Sequence, residues 1–277
     1  MRLIDVRHLG RERVIGCWQV GEVLIDPGPS SSLESLISAI AEERPRALLL
    51  THIHLDHAGG TGSLVRHWPD LEVYVHERGA PHLIDPSRLL ASAERLYGDQ
   101  MERLWGEVAP VPEANVHPLA GGEEVLGFEV AYTPGHASHH VCYFHTASGR
   151  AFVGDVAAVR IPPADFVLPP TPPPDIDIEA WERSIDAVLA WEPESLAITH
   201  FGAVDDPASH FELVRDRLHE LAERARRLDA EAFERSLRDE IAAAADRETA
   251  AALLQAGQPE VQWAGLERYW RKRAGPA

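Results

Sequence analysis

The feature that most constrains the fold of this chain is a short apolar segment that ends directly in a cluster of histidines. Residues 47–50 read Ala-Leu-Leu-Leu, and residues 51–60 read Thr-His-Ile-His-Leu-Asp-His-Ala-Gly-Gly. The apolar segment is typical of a strand that is buried on both faces. Neutral imidazoles and carboxylates are the groups that bind Zn²⁺ and similar divalent ions. The sequence therefore predicts a metal site at the end of a buried strand.

The order of the predicted elements around this motif indicates an α/β fold. Strands alternate with helices in this region, which implies helices packed on a central sheet. Ser30, Ser31 and Ser32 offer caps for the first helix, which keeps its apolar spacing up to Pro45. The predicted strands lie at 14–19, 23–26, 47–50, 73–75, 125–133, 141–145, 151–154 and 196–199, and a second helix lies at about 60–68.

Three further segments are candidates to shape the site or the assembly. Residues 87–105 predict an amphipathic helix that either caps the site or only packs on the sheet. The Pro-rich loop at 161–174 is long enough to form a wall of the substrate pocket. We expect a main domain over 1–205 and a helical C-terminal extension over 206–277, which packs on the main domain or makes a homodimer. Asp206 and Pro207 are typical of the start of that extension.

Composition excludes several classes of function. The 277 residues include 44 acidic and 26 basic side chains, a net charge of −18, which repels phosphate backbones and argues against a nucleic-acid partner. The two cysteines, Cys17 and Cys142, lack metal-ligand spacing and are expected to be buried thiols in a reducing compartment. Neither an apolar leader segment nor a run of 18 apolar residues is present, so we expect no membrane partner and a cytoplasmic location.

Four other motifs place polar residues where predicted strands end. They are Ile-Asp-Pro-Gly at 25–28, Thr-Pro-Gly-His at 133–136, Val-Gly-Asp at 153–155 and Thr-His-Phe-Gly at 199–202. In α/β sheets, ligands bind at the carboxyl ends of the strands. We therefore expect these motifs to meet the histidine cluster at one edge of the fold.

Taken with residues 51–60, these motifs resemble those of the metallo-β-lactamase superfamily over about residues 1–205. The resemblance implies a four-layer αββα sandwich and a site for two divalent metal ions, most often Zn²⁺, with iron or manganese as alternatives. It implies one metal-binding set of His52, His54 and His136, a second set of Asp56, His57 and His200, and Asp155 as the bridge between the two ions.

The chemistry of such a site can be argued from general principles. Two divalent ions lower the pKa of a shared water, so that a metal-bound hydroxide becomes the nucleophile. Asp56 is also a candidate catalytic residue, because it could move a proton beside the leaving group. Asp26 is expected in the second shell, accepting a hydrogen bond from a ligand imidazole. His140, and His139 beside it, are candidates for the second shell or for substrate contact.

The leading hypothesis is hydrolysis of a small-molecule ester, thioester or lactone. A phosphodiesterase is the alternative, since a two-metal site serves phosphoryl displacement as readily as acyl transfer. Quorum-quenching lactonases, which this chain resembles in its motif, usually carry a tyrosine where this chain has Ala158. A third hypothesis is a mononuclear iron persulfide dioxygenase that uses only His52, His136 and Asp155. One iron per chain would favour the dioxygenase, and two zinc ions would favour the hydrolase.

Overall fold

The fold consists of two six-stranded β-sheets with helices on their outer faces. The computed structural model describes residues 1–40 and 43–274. In chain order, the described strands are β1 (Arg2–Asp5), β2 (Gly16–Val20), β3 (Val23–Ile25), β4 (Ala47–Leu49), β5 (Glu72–His76), β6 (Val116–Leu119), β7 (Glu124–Val125), β8 (Phe128–Tyr132), β9 (Val141–His145), β10 (Arg150–Phe152), β11 (Val159–Arg160), β12 (Val167–Leu168), β13 (Ser195–Ile198) and β14 (Gly202–Val204).

The strand order divides the chain into two halves. Strands β1 to β6 form the first sheet in chain order, with antiparallel pairs up to β3 and parallel pairs from β3 to β6. The second sheet has the order β14-β13-β10-β9-β8-β7, and only β10 and β13 pair in parallel. Strands β11 and β12 form a separate two-stranded ribbon.

The helices cover the sheets and extend the chain at its C-terminal end. Those in the described residues are α1 (Leu33–Ala39), α2 (Leu55–Ala58), α3 (Thr61–His67), α4 (Ala80–Ile84), α5 (Ser87–Tyr97), α6 (Met101–Trp105), α7 (Ile178–Leu189), α8 (Pro207–Arg227), α9 (Ala230–Ala244), α10 (Arg247–Ala256) and α11 (Pro259–Ala274). No helix in the ranges described is long and apolar enough to cross a membrane.

Alternation along the strands explains why the two sheets pack face to face. In a strand, successive side chains point to opposite faces. Val23 and Ile25 belong to the apolar cluster that contains Phe128 and Phe152 of the second sheet. Leu24, between them, belongs instead to the cluster that contains residues of the outer helices. Both faces of the sheets are therefore buried, and the predicted αββα layering is confirmed.

The C-terminal helices pack on the rest of the chain. Asp206 caps α8 by accepting a hydrogen bond from the Ser209 amide, and Pro207 occupies the first helical position, as predicted. The apolar stripe of α8, which includes Phe211 and Leu218, is fully buried in the cluster that also contains residues of both sheets. The helical C-terminal segment is confirmed, whereas the division of the chain at residue 205 stays a prediction.

Several predicted elements differ from those of the structure. The helix predicted over 87–105 is broken into α5 and α6 by a turn at Gly98, whose φ of 48° is a conformation that glycine adopts without strain. The loop predicted over 161–174 contains β12. Residues 41–42 of the first predicted helix and 275–277 of the predicted extension lie outside the described residues.

Candidate metal centre

The strands bring the seven predicted metal ligands to one edge of the sandwich. His52 and His54 follow β4, while His136, Asp155 and His200 follow β8, β10 and β13. These last three strands run in the same direction, as the pairing within the second sheet shows. The carboxyl ends of strands from both sheets therefore meet, and the short helix α2 adds Asp56 and His57 to the same place.

The first group consists of three imidazoles and one carboxylate oxygen. His54 Nδ1 lies 3.0 Å from His52 Nε2 and 2.9 Å from His136 Nε2. Asp155 Oδ2 lies 3.2 Å from His136 Nε2 and 3.8 Å from His52 Nε2. Four candidate ligand atoms therefore converge on one point from four residues.

The second group lies on the opposite side of Asp155. His57 Nε2 lies 3.3 Å from His200 Nε2. Asp56 Oδ2 lies 3.4 Å from His200 Nε2 and 3.8 Å from His57 Nε2. Asp155 Oδ1 lies 3.2 Å from His57 Nε2 and 3.6 Å from His200 Nε2. The two oxygens of Asp155 thus face different groups, which is the arrangement expected of a bridging carboxylate.

The residues present fit a pair of divalent ions. Ligands about 2.1 Å from one ion lie roughly 3.0 to 3.4 Å from each other in octahedral or tetrahedral geometry, close to most of the distances above. In the first group, a single proton on His54 Nδ1 can satisfy only one of the two nitrogens that face it. Asp155 Oδ1 is buried and makes no hydrogen bond with the described residues. A cation at each point would satisfy these lone pairs.

Each imidazole that presents Nε2 to the centre has a partner for its other nitrogen. His136 Nδ1 donates to the Pro170 carbonyl (2.8 Å), and His200 Nδ1 donates to the Val14 carbonyl (2.6 Å). Because a carbonyl can only accept, the Nε2 atoms of these two rings are left as electron-pair donors in the neutral form. Hydrogen bonds of this kind set the ring orientation and the tautomer of metal-binding histidines.

Asp26, the predicted second-shell residue, is fully buried behind both groups. Its Oδ2 accepts hydrogen bonds from His57 Nδ1 (2.8 Å), Thr51 Oγ1 (2.7 Å) and Thr199 Oγ1 (3.0 Å). Its Oδ1 accepts from the Thr51 amide (2.8 Å). Thr51 Oγ1 in turn lies 3.1 Å from His52 Nδ1. The Asp26 carboxylate therefore contacts the His57 ring directly, reaches the His52 ring through Thr51, and is bound to the residues that follow β4 and β13.

The electrostatic environment distinguishes the two groups. Burial, followed by the charge of neighbouring histidines, lowers the pKa of His52 and lowers the pKa of His54 to about 4. Burial likewise lowers the pKa of His136. In the second group, burial acts in the same direction, but the nearby carboxylates outweigh it and raise the pKa of His57 and of His200. Without metal, the imidazoles of the first group therefore favour the neutral form, whereas those of the second group favour the protonated form.

His139 and His140 lie in different surroundings. His140 is fully buried, stacks on the His52 ring with centroids 5.0 Å apart, and pairs through Nδ1 with Thr133 Oγ1 at 2.9 Å. His139 lines the cavity above the centre, 5.7 Å from His54 between ring centroids. The structure thus brings His140 against a candidate ligand and places His139 in the wall of the cavity.

A cavity of about 360 Å³ opens above the two groups. Helix α5 contributes Leu89, Leu96 and Tyr97 to its wall, and α6 contributes Trp105. The segment 87–105 therefore caps the site. The sequence did not decide between this role and simple packing on the sheet. Prolines 170 and 172–174 form another part of the wall, in agreement with the prediction for 161–174. Contributions from 255–262 were not predicted, because helical spacing does not show which distant surface a helix will contact.

The Val14 and Pro170 carbonyls were also not predicted. They are backbone atoms, so no residue type in the sequence indicates their role. Asp26, in contrast, follows a predicted strand in a motif of its own, and this placement indicated a position near the site.

Comparisons with known proteins agree with this geometry. The sequence model of the metallo-beta-lactamase superfamily matches residues 21–200. Hydroxyacylglutathione hydrolase of Salmonella paratyphi A is 34% identical over 128 residues, which are 44% of this chain and 38% of that protein. The match therefore spans well under half the length of this curated relative.

Two solved structures place the fold. ST1585 of Sulfurisphaera tokodaii, a metallo-beta-lactamase fold-containing protein, is 28% identical over 195 residues, 68% of this chain and 71% of that protein. Its crystal structure superposes with a TM-score of 0.73 and 24% identity over 96% of this chain and 97% of that chain. TTHA1623, solved in a di-iron-bound form, gives a TM-score of 0.50 and 29% identity over 69% of this chain and 89% of that chain.

The matched region 21–200 spans 180 of the 277 residues and contains all seven converging side chains. With this match, the αββα architecture and the motif that begins at Thr51, the chain belongs to the metallo-beta-lactamase superfamily, a superfamily of metallo-hydrolases.

Proposed function

We propose that this protein is a dinuclear metal-dependent hydrolase of a small-molecule ester or thioester. The observation that carries the proposal is the position of Asp155. Asp155 is 2% exposed, and the two oxygens of its carboxylate face two separate groups of ligand atoms. A buried carboxylate between five imidazoles serves no ordinary packing purpose, whereas it is suited to joining two cations.

The candidate ligands would form two sets, one for each metal ion. His52, His54 and His136 would hold one ion, Asp56, His57 and His200 the other, and Asp155 both. When bound, the ions supply Lewis-acid activation of water and of the scissile carbonyl group. The hydrogen bonds from His57 to Asp26, from His136 to Pro170 and from His200 to Val14 keep the imidazoles in place during the reaction.

Asp56 is the proposed proton acceptor. Burial would raise its pKa, but the charge of His57 and a hydrogen bond with His200 outweigh burial and lower it. The lowered pKa keeps the carboxylate ionised at neutral pH. It also makes the carboxylate a weak base, so a proton taken from the attacking water is readily passed on to the leaving group.

The preference for a thioester or ester rests on similarity and on the cavity. The hydroxyacylglutathione hydrolase relatives act, by their name, on an acylated thiol. A mostly apolar cavity of about 360 Å³ suits a small acyl compound rather than a macromolecule. We propose zinc as the metal because nitrogen and carboxylate ligands suit it. The di-iron form of TTHA1623 keeps iron as the main alternative.

The test combines metal analysis with a substrate panel. Purified protein is analysed for zinc, iron and manganese, and is then assayed with p-nitrophenyl esters, thioesters, lactones and phosphodiesters. We expect two ions per chain and the highest kcat/KM with a thioester or ester. One iron per chain with no hydrolysis would favour the dioxygenase, and turnover of phosphodiesters alone would favour the alternative hydrolase.

Matched variants link this activity to the site. We expect His54→Ala to lose metal and activity, because His54 Nδ1 faces two other ligand nitrogens. His67→Ala removes an exposed histidine from α3 and should change neither quantity.

A further inference from the structure

The cavity above the centre has a basic rim. Arg78 lies in the turn after β5, His82 in α4 and Arg88 in the first turn of α5, so that three basic side chains from one short stretch line the cavity. Acidic residues outnumber basic ones in this chain by 44 to 26. A basic rim at the cavity is therefore contrary to the overall charge of the molecule.

In the described part of the chain, neither Arg78 nor Arg88 forms an ion pair, although Asp85 is near enough to Arg88 for the arginine charge to lower the pKa of that carboxyl. Among residues 1–40 and 43–274, no carboxylate oxygen lies within 4.0 Å of Arg78 or Arg88, whereas the exposed Arg66 of α3 is paired with Glu107 at 2.5 Å. The Arg78 guanidinium lies over the Tyr132 ring, 5.5 Å from its centroid, which positions it without neutralising it. Both arginines are exposed and available to a ligand.

One carboxylate outside the two metal-binding groups also lines the cavity. Asp175 accepts hydrogen bonds from the Ser138 amide (3.2 Å) and from Ser138 Oγ (2.5 Å). These two bonds hold its carboxylate against the turn that carries His139. Asp175 keeps its negative charge, so the cavity offers a ligand two guanidinium charges against this one carboxylate outside the metal-binding groups.

An apolar wall lies beside the basic rim. Leu89, Ala93 and Leu96 recur at helical spacing on α5 and line the cavity, and Trp105 of α6 continues this surface. A ligand that contacts both surfaces must carry an apolar portion and a charged group.

Resting on the proposed function, we propose that the substrate is an amphipathic acyl ester or thioester with an anionic group apart from the scissile bond. The anionic group, a carboxylate or a phosphate, pairs with Arg78 and Arg88, and the apolar portion lies against Leu89, Ala93 and Leu96. Guanidinium groups are suited to this role because their paired N–H donors match the oxygens of either anion.

The test uses three thioesters that share one acyl chain and differ only at its far end. One ends in a carboxylate, one in a phosphate monoester and one in a neutral primary amide. We expect kcat/KM for the preferred anionic substrate to exceed that for the amide by about tenfold, mainly through KM. The ratio should fall as salt is added, because salt screens exposed charges.

Variants assign this preference to the rim. The double substitution Arg78→Gln and Arg88→Gln should reduce the ratio of anionic to neutral kcat/KM to within about twofold of unity. Arg95→Gln is the matched control, because Arg95 is exposed on the same helix α5 and does not line the cavity. It should leave the ratio unchanged. Preference for one anion over the other would identify which of the two the rim accepts.

A binding measurement separates this proposal from the proposed function. Non-hydrolysable thioethers with the same three end groups are titrated into metal-loaded protein by calorimetry. Tighter binding of an anionic thioether, lost in the double variant, supports the proposal even if no thioester is hydrolysed. Equal affinity for all three thioethers, or an anion preference that survives the double substitution, would overturn it even if neutral thioesters are hydrolysed.

Discussion

Asp26 shows how one buried residue can organise a site that it does not enter. Its carboxylate accepts four hydrogen bonds, from the Thr51 amide, Thr51 Oγ1, Thr199 Oγ1 and His57 Nδ1. A buried carboxylate is stable only when such donors surround it. The consequence for the site is that the ends of β4 and β13 and the ring of His57 are held by the same group.

We expect Asp26→Asn to weaken metal binding and to destabilise the fold. An asparagine has one amide NH₂ group, so at least one of the buried donors would face another donor, at a cost of about 1–3 kcal/mol. Loss of the negative charge that accepts the hydrogen bond from His57 Nδ1 should lower metal affinity about 10–100-fold. Urea unfolding of the metal-free protein and a zinc titration measure the two effects. Asp70→Asn, at an exposed position paired with Arg44, should show neither effect.

Substitution of Asp155 should change how many metal ions the protein binds. Its two oxygens face the two ligand groups, so Asp155→Ala should remove a ligand from each. We expect at most one ion per chain by elemental analysis and a loss of activity of at least about 100-fold. If the variant keeps two ions and full turnover, Asp155 does not bridge them.

The two ligand groups should also differ in how metal binding depends on pH. Metal displaces protons from imidazole, and His57 and His200 have raised pKa values while His52 and His54 have lowered ones. The first group is therefore ready to bind at neutral pH, whereas the second must lose protons, and its affinity rises with pH. We expect zinc titrations between about pH 6 and 8 to show one pH-insensitive ion and one whose binding releases protons. Identical pH dependence for both ions would contradict this assignment.

The same shifts act on the stability of the metal-free protein. The raised pKa of His57 means that its protonated form stabilises the folded state. This stabilisation is complete below the pKa of the unfolded state, about 6.5, and is lost as pH rises through the pKa of the folded state. A lowered pKa, as for His54, gives stability that is present above about 6.5 and is lost as pH falls towards about 4. The two shifts act in adjacent pH ranges, so the metal-free protein should be most stable near pH 6.5 and less stable on either side, through His54 at lower pH and through His57 at higher pH.

At the scale of elements, α5 and α6 form a cap over the site that is held in place through the end of α6. The Trp105 ring stacks on His8 with centroids 5.5 Å apart, and His8 Nε2 donates to the Leu104 carbonyl at 2.8 Å. Leu55, Ala93, Leu104 and Trp105 form their own small apolar cluster, separate from the main core. Elements with few core contacts open locally at lower free energy than the fold as a whole.

We expect Trp105→Ala to loosen the cap without unfolding the protein. Removing a buried indole from a core costs about 3–5 kcal/mol of stability. Trp105 belongs to the small separate cluster, so the destabilisation should be confined to the cap. Hydrogen exchange should accelerate within 87–105 and remain slow in β4 and β10, and KM should rise more than kcat falls. Leu213→Ala, which truncates an exposed side chain on α8, is the control. Uniformly faster exchange across the protein would show that Trp105 belongs to the global core instead.

Some elements could be predicted from sequence and others could not, for identifiable reasons. The strand that ends at the histidine motif was predictable because its residues are all apolar and the next side chains are polar. Helix α7 was missed although Asp177 caps it by accepting from the Ala180 amide, a signal present in the sequence. The edge strand β1 carries the charged residues Arg2 and Asp5, which weaken the apolar pattern. The break at Gly98 depends on packing that helical periodicity does not report.

At the scale of the whole molecule, the C-terminal helix α11 is connected to the metal centre through one loop. Gln262 Oε1 accepts hydrogen bonds from the amide and the hydroxyl of Thr171, both at 2.5 Å. Thr171 follows Pro170, whose carbonyl orients His136. Hydrogen bonds to Thr171 and from His136 to Pro170 therefore connect α11 with the first ligand group, although the two are distant in sequence.

Gly265 allows this connection. A Cβ at this position would lie 1.9 Å from the Thr171 carbonyl oxygen and 2.9 Å from the Pro172 carbonyl carbon, so only glycine lets α11 approach the loop this closely. Glycine inside a helix normally costs about 1 kcal/mol relative to alanine. Its presence here is explained by the backbone contact and not by helix propensity.

A glycine-to-alanine change inside a helix usually stabilises it, but at this position we expect the opposite effect. Gly265→Ala should lower stability by about 1–3 kcal/mol, because the added methyl group forces α11 and the loop apart. By displacing Pro170, the variant should also weaken the ion held by His52, His54 and His136 more than the other. Thermal unfolding and zinc titrations at neutral pH measure both effects, with Ala264→Ser on the same helix as control. A Gly265→Ala protein more stable than the wild type, with unchanged affinity for both ions, would show that α11 does not position the loop.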